Sequence, residues 1–282
     1  MRTVTLLSGG VGGARMARGL AAVPGLHDPT IVVNVGDDEL IYGVHVSPDL
    51  DTVMYTLAGI EGPHGWGIAG DTFEIMDRMA ELGTDTTFRL GDRDLSTNLI
   101  RTAALSSGER LSDVTNRLVE AFDIAARLLP ATDDRSRTVI DTAEGERLCF
   151  QEYFVLRQHR DEVSAVSYEG AETSAPAPGV LEAIASADLV VIAPSNPPLS
   201  IWPILAVPGI RAAVRDARVA AVSPLFGRKA LKGPADRVMA ALGLPAGNAG
   251  VLAAYEGLLD LLVVDSSDRA DESLTTAETR VV

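Results

Sequence analysis

Two adjacent aspartates, Asp37 and Asp38, close the β-branched run Ile31-Val32-Val33-Asn34-Val35. Carboxylates at the carboxyl end of a buried strand can hold Mg²⁺, a hard cation that takes one or two of them plus phosphate oxygens and water. The same pair could instead hold a ribose or cap a solvated turn. Further on, Ser47-Pro48-Asp49-Leu50-Asp51-Thr52 reads as a helix start, with Ser47 as N-cap and Pro48 at the first helical position. Asp49 then suits the first turn, where the helix dipole favours an acid. That reading leaves Asp51 over, as a residue to grip a substrate hydroxyl or a metal. Upstream, Ser8-Gly9-Gly10-Val11-Gly12-Gly13-Ala14-Arg15 would let backbone N–H groups approach a phosphate at a helix N-terminus. No Lys-Ser/Thr follows, and the dinucleotide fingerprint fits only with its last glycine lost. A tight turn for helix–strand packing is the plainer use of those glycines.

Other segments offer single groups. Trp66 sits between glycines in Gly65-Trp66-Gly67, an aromatic face on a loop. In Phe88-Arg89-Leu90-Gly91-Asp92-Arg93-Asp94-Leu95, Asp92 reads as a helix N-cap, and Arg89 and Arg93 could pair with phosphate or with neighbouring aspartates. Ser195 and Asn196 follow another apolar run, where the Asn196 amide offers both a donor and an acceptor. Lys229 and Lys232 are the two lysines of the chain and share one loop, a candidate contact for a diphosphate. The four histidines, His27, His45, His64 and His159, show no metal spacing, and Ser8 has no evident histidine partner. The pattern favours positioning and phosphate chemistry over a covalent enzyme.

Bulk properties narrow the class. A net charge of −15 argues against nucleic acid, which needs a basic face. No run approaches the roughly 20 apolar residues that span a bilayer, so no membrane partner is expected. Cys149 is the single cysteine, which excludes an internal disulfide and a cysteine zinc site and points to the cytoplasm.

Positioning such groups requires strands that end where loops converge. Val4–Leu7, Ile31–Val35, Leu189–Ala193, Val219–Val222 and Leu261–Asp265 read as buried strands, several followed by helical stretches. The expected fold is α/β: a Rossmann-like, mostly parallel sheet flanked by helices, with a largely helical plus short-strand insertion over the carboxyl edge. In the 71–122 region, Leu99, Ile100 and Ala103, then Leu111, Val114 and Leu118, recur at helix spacing. Thr138–Ile140, Phe150–Leu156 and Val163–Tyr168 are expected strands. One domain over 1–282 is expected, with its core at about 1–70 and 176–282 and a substrate-binding insertion at about 71–175. Arg280-Val281-Val282 reads as the start of a strand.

Eight segments together resemble the 2-phospho-L-lactate transferase family, called CofD in archaea and FbiA in actinobacteria. They are Ser8–Ala14, Asn34–Asp38, Ser47–Thr52, Gly65–Gly67, Leu90–Leu95, Phe150–Phe154, Ala193–Pro197 and Lys232–Asp236, in family order over nearly the whole chain. The resemblance implies transfer of a phospholactyl or phosphoenolpyruvyl group from a guanosine diphosphate-linked donor to Fo, a deazaflavin with a ribityl chain. GMP would leave, and the product would be a coenzyme F420 precursor. It implies Mg²⁺ and Fo contacts at Asp51 and Arg89. Fitting the other candidate residues to that reaction would assign Asp37 and Asp38 to the Mg²⁺ and Trp66 and Asp92 to the acceptor side. The donor phosphates would fall to Gly9, Gly10, Gly12, Gly13, Ser195, Asn196, Lys229 and Lys232. Asp51 would serve as general base. Family members tend to dimerise and usually continue past the last strand seen here. Two rivals remain: a non-catalytic nucleotide-sugar-binding relative, and an NAD-dependent oxidoreductase suggested only by the glycine loop.

Overall fold

A computed structural model describes residues 2–231, 233–268, 274 and 279–282. Its centre is a seven-stranded sheet, in which every neighbouring pair runs parallel. In chain order its strands are β1 (Val4–Ser8), β2 (Thr30–Val33), β5 (Arg127–Pro130), β9 (Leu189–Ile192), β10 (Val219–Val222), β13 (Leu261–Val263) and β14 (Arg280–Val281). Their spatial order is β14-β13-β10-β9-β1-β2-β5. The chain winds outward from β1 through β2 to β5, then returns to β9 on the other side of β1. The strand order therefore reverses between β1 and β9, which opens a crevice at their carboxyl ends.

Alternation along the strands explains the layers. Leu7, Val32, Val190, Ile192 and Ala221 face one core. There they meet α6 (Val180–Ser186), α7 (Trp202–Ala206), α8 (Ile210–Arg215), α9 (Ala235–Ala241) and α10 (Asn248–Ala254). Leu6, Ile31, Val33, Leu128 and Val191 face the other core. That face is covered by α1 (Gly10–Ala21), α2 (Pro48–Leu57), α4 (Asp92–Ser106) and α5 (Leu111–Ala121). Strands buried on both faces read as continuous apolar runs, which is why they were visible in the sequence. At about 25 cal/mol per Å² of apolar area, this double burial is the main favourable term holding the sheet.

Three small elements overhang the carboxyl edge. The hairpin β3 (Glu39–Ile41) and β4 (Val44–Val46) turns through Tyr42 and Gly43, both at positive φ, the geometry of a tight two-residue turn. Strands β6 (Arg137–Thr142), β7 (Arg147–Cys149) and β8 (Val163–Glu169) form an antiparallel sheet in the order β7-β6-β8. A hairpin of β11 (Leu225–Phe226) and β12 (Lys229–Ala230) follows β10. Helix α3 (Glu74–Glu81) buries one side chain, Met76.

Some expectations need correction. Phe150–Leu156 is not a strand; Glu152–Leu156 is a helical turn of π type. Phe150 and Phe154 stack at 5.2 Å with an interplanar angle of 11°, a pairing that i,i+4 helical spacing permits and an extended strand forbids. The segment 71–175 supplies more than an insertion, because β5 lies within it and completes one edge of the central sheet. Leu99 and Ile100 do not face the core; they are 51% and 47% exposed. In α4 the inward face instead carries Leu95, Asn98, Arg101 and Ala104. Leu111, Val114 and Leu118 are buried as their spacing predicts.

Candidate active site

The chain leaves β1 at Ser8 and starts α1 through an extended Gly9 and a left-handed Gly10 at φ +64°. That φ favours glycine at position 10. The neighbouring glycines serve close approach. A side-chain carbon on Gly9 would press on Asp49 Oδ2 and Ser200 Cβ, one on Gly12 on the Pro194 carbonyl, and one on Gly13 on Ser8 Oγ and Ser195 Oγ. Ser195 Oγ donates to the Gly9 carbonyl at 2.7 Å. The plainer reading of the loop is thus realised at three of its glycines, while a carbon on Gly10 would meet nothing. Asn196 Oδ1 accepts from Leu199 N at 3.3 Å and caps the turn that follows β9.

The aspartates converge beside this loop. Asn34, fully buried past the end of β2, donates through Nδ2 to Asp49 Oδ2 at 3.0 Å. Gly10 N donates to Asp49 Oδ1 at 2.7 Å. Asp49 is therefore more than a first-turn acid: it ties β2 and the glycine loop to α2. Ser47 stands at the N-cap position, but its hydroxyl caps nothing; it donates to Asp38 Oδ2 at 2.6 Å. His45 Nε2 reaches the same oxygen at 3.0 Å. Asp37 is buried, with its carbonyl accepting from Gln151 Nε2 at 2.9 Å.

Asp51 meets a residue that the sequence did not single out. Arg101 of α4 grips its carboxylate with both terminal nitrogens, Nη1 to Oδ2 at 3.1 Å and Nη2 to Oδ1. The two side chains are 1% and 6% exposed. Asp94, in the first turn of α4, accepts from the Tyr55 hydroxyl at 2.9 Å. The spacing of Asp94, Asn98 and Arg101 at i, i+4 and i+7 was the signal for an inward polar stripe.

These groups form an acidic cluster. Burial pushes the Asp49 carboxyl up to about 6. Burial, then the Asp51 charge, pushes Asp94 up to about 7. Asp37 is raised well above the usual carboxylate range by burial and then by Asp49. Burial also raises Asp51, against the opposing pull of Arg101. Asp37 Oδ1 and Asp38 Oδ1 are buried and accept no hydrogen bond. Unpartnered carboxylate oxygens on two neighbouring residues are the kind of donor that suits a hard divalent cation. Among the described residues no group of three acidic, histidine or cysteine side chains is arranged to hold a metal. Any such ion would therefore draw the rest of its shell from substrate and water.

Other expected site residues lie around this centre. Trp66, 55% exposed, tilts over His64 at 5.7 Å between ring centroids. Its loop abuts α1, where a side-chain carbon on Gly65 would press on Val11. Arg89 pairs with Asp77 at 2.6 Å and lies over the Phe73 ring at 5.0 Å, both in α3 or its leading turn. Asp92 is the first residue of α4 and not its N-cap. Its carboxylate accepts from Thr72 Oγ1 at 2.6 Å, Glu74 N at 3.0 Å and Ile75 N at 3.1 Å, which caps α3. In return Asp71 accepts from Arg93 N and Asp94 N at the start of α4. Lys229 is exposed on the β11–β12 hairpin. Lys232 lies outside the described residues.

The model of the 2-phospho-L-lactate transferase CofD family matches residues 4–281. The chain belongs to that family. CofD-family relatives named phosphoenolpyruvate transferase include one from Streptomyces coelicolor, 46% identical over 273 residues, covering 94% of this chain and 86% of that protein. One from Streptomyces griseus is 45% identical over the same length and shares. One from Mycolicibacterium smegmatis is 42% identical over 290 residues, covering 95% of this chain and 89% of its own. Among solved structures, a UPF0052-family protein from Bacillus halodurans superposes with a TM-score of 0.64 at 18% identity, covering 93% of this chain and 80% of its own. At that identity it shows the fold alone. The chain is thus a CofD-type transferase of coenzyme F420 biosynthesis. Among the described residues no helix is long and apolar enough to cross a membrane.

Proposed function

We propose that this chain transfers a phosphoenolpyruvyl or phospholactyl group from its guanosine diphosphate-linked donor to the terminal ribityl hydroxyl of Fo. The observation that carries the reading is the buried aspartate cluster packed against the glycine loop at the sheet's reversal point. The names of the relatives favour the enolpyruvyl donor.

In this reading the hydroxyl oxygen attacks the phosphorus that bears the three-carbon acid. The bond to the GMP oxygen breaks, a phosphodiester forms, and the hydroxyl proton passes to Asp51. A general base contributes about 10²–10⁴-fold, and the remaining acceleration comes from in-line positioning and neutralised charge. Asp37 and Asp38 would hold Mg²⁺, which when bound supplies positive charge against the donor phosphates. The α1 N-terminus beyond Gly10, the Asn196 amide and the Lys229–Lys232 loop would contact the donor. Trp66 would cover the deazaflavin ring, with Arg89 and Asp92 on the acceptor side.

The test mixes purified protein, Fo, Mg²⁺ and each donor, and separates products by chromatography with mass detection. A phosphodiester-linked deazaflavin plus GMP is the expected result. Absence of both product and Fo binding would overturn the reading in favour of a nucleotide-sugar-binding relative.

A further inference from the structure

We infer that Arg101 is a positioning residue for this reaction, holding the Asp51 carboxylate in one orientation toward the acceptor hydroxyl. The inference rests on the transfer proposed above, with Asp51 as the base.

Arg101 is the largest fully buried side chain of the described residues. Taking a guanidinium out of water is expensive unless a partner and further hydrogen bonds compensate it. Here the compensation is directional. Besides gripping both Asp51 oxygens, Nη1 donates to Asn98 Oδ1 at 2.8 Å and lies 3.3 Å from the His45 carbonyl. The Nε atom is buried without a partner, so the fork is aimed at Asp51 at the expense of its own full satisfaction. The His45 carbonyl belongs to β4, whose ring end holds Asp38. One guanidinium thus registers α2, α4 and the β3–β4 hairpin against each other around a single carboxylate.

Charge points the same way. Asp38, His45, Asp94 and Tyr55 also act on the Asp51 charge or feel it, and Arg101 is the permanent cation paired with it. A planar fork restrains both carboxylate oxygens, whereas a lysine ammonium would act as a point charge and let the carboxylate rotate. Replacing both members of a buried pair by apolar residues costs little, whereas removing Arg101 alone strands the Asp51 charge, so the double variant, which removes the pair, separates a positioning role from a structural one.

The experiment compares Arg101→Met, Arg101→Lys, Asp51→Asn and the double variant Asp51→Asn/Arg101→Met in the Fo transfer assay. Far-UV circular dichroism and melting select the folded proteins. Arg101→Met should lose about 10²-fold or more in kcat, within the range of a general base, while KM for Fo stays within about threefold. Arg101→Lys should recover about tenfold of that loss. The double variant should lie within about threefold of Asp51→Asn, since a residue acting through Asp51 has nothing left to position. Losses that multiply in the double variant, or an Arg101→Met enzyme keeping more than about a third of wild-type kcat, would overturn the inference. So would a loss confined to KM. Where Arg101→Met does not fold, Arg101→Lys with and without Asp51→Asn makes the same comparison. Absent wild-type turnover would overturn the transfer reading and this inference together; normal wild-type turnover with an unimpaired Arg101 variant overturns this one alone.

Discussion

The backbone N–H of Gly10 donates to Asp49 Oδ1 at 2.7 Å, and the other oxygen of that carboxylate accepts from Asn34 Nδ2 at 3.0 Å. One buried side chain therefore fastens the loop after β1 and the end of β2 to the first turn of α2. Asp49→Ala leaves the buried Asn34 amide and the half-buried Gly10 N–H unpaired, at up to about 1–3 kcal/mol each. We expect a loss of roughly 2–5 kcal/mol in denaturant unfolding, together with transfer activity at least tenfold below wild type. A melting curve unchanged by this substitution would show that the clasp contributes nothing.

Asp94 gives stability a pH dependence of definite sign. Its folded carboxyl sits near 7 against an ordinary value of 3.8, so the folded chain holds that proton more tightly than the unfolded chain does. Stability from this group is therefore full below about pH 4, falls as pH rises toward about 7, and is flat above. Asp94→Asn keeps an acceptor for the Tyr55 hydroxyl and removes the ionisation. It should raise stability at pH 8 by roughly 2–4 kcal/mol and flatten the slope between pH 4 and 7. Melting temperatures of both proteins across pH 4–8 check this. Parallel curves would refute it.

Helices α3 and α4 cap each other, Asp92 serving α3 and Asp71 serving α4. Asp71→Ala should cost about 0.5–2 kcal/mol. A side-chain carbon on Gly91 would press directly on the Asp71 carboxylate, so Gly91→Ala should displace the same cap. The two costs should not add in the double variant, which a denaturant-midpoint comparison of the three proteins measures.

Trp66 and Trp202 should be separable by fluorescence. Trp66 is exposed, whereas Trp202 packs against a core and donates through Nε1 to the Ala254 carbonyl at 2.9 Å. Fo should quench emission strongly in Trp202→Phe and weakly in Trp66→Phe. The reverse pattern would remove Trp66 from the acceptor face.

Much of this fold was legible because both sheet faces are buried, so strands such as Leu189–Ile192 appear as unbroken apolar runs. Strand β5 was harder to see: it is short, ends in Pro130, and lies at a sheet edge, where a missing donor is tolerated. The glycine loop, the aspartate pairs and the Ser195 turn were all legible as candidates, and the structure packs them together. Arg101 was not. Its helix carries Leu99, Ile100 and Ala103 on the solvent side and buries Thr97, Asn98 and Arg101 beside Leu95 and Ala104, so the usual rule that the apolar face marks the core points the wrong way. Asp92 misled differently: an acid at a helix start suggests a cap for its own helix, and only tertiary contact shows that it caps the neighbour.

The sheet's reversal at β1 also carries a cost in time. The Ser195 hydroxyl that holds the Gly9 carbonyl lies 186 positions downstream. At about 5–20 residues per second, a ribosome needs roughly 10–40 s to cover that distance. During this interval β2 can line up beside β1 and β5 beside β2, and every residue from Asn34 to Arg101 is made. The opposite edge of β1 stays bare until β9 emerges. The nascent protein thus holds its acidic cluster before the wall that closes over it, with a strand edge open to whatever chaperone or stray chain reaches it first.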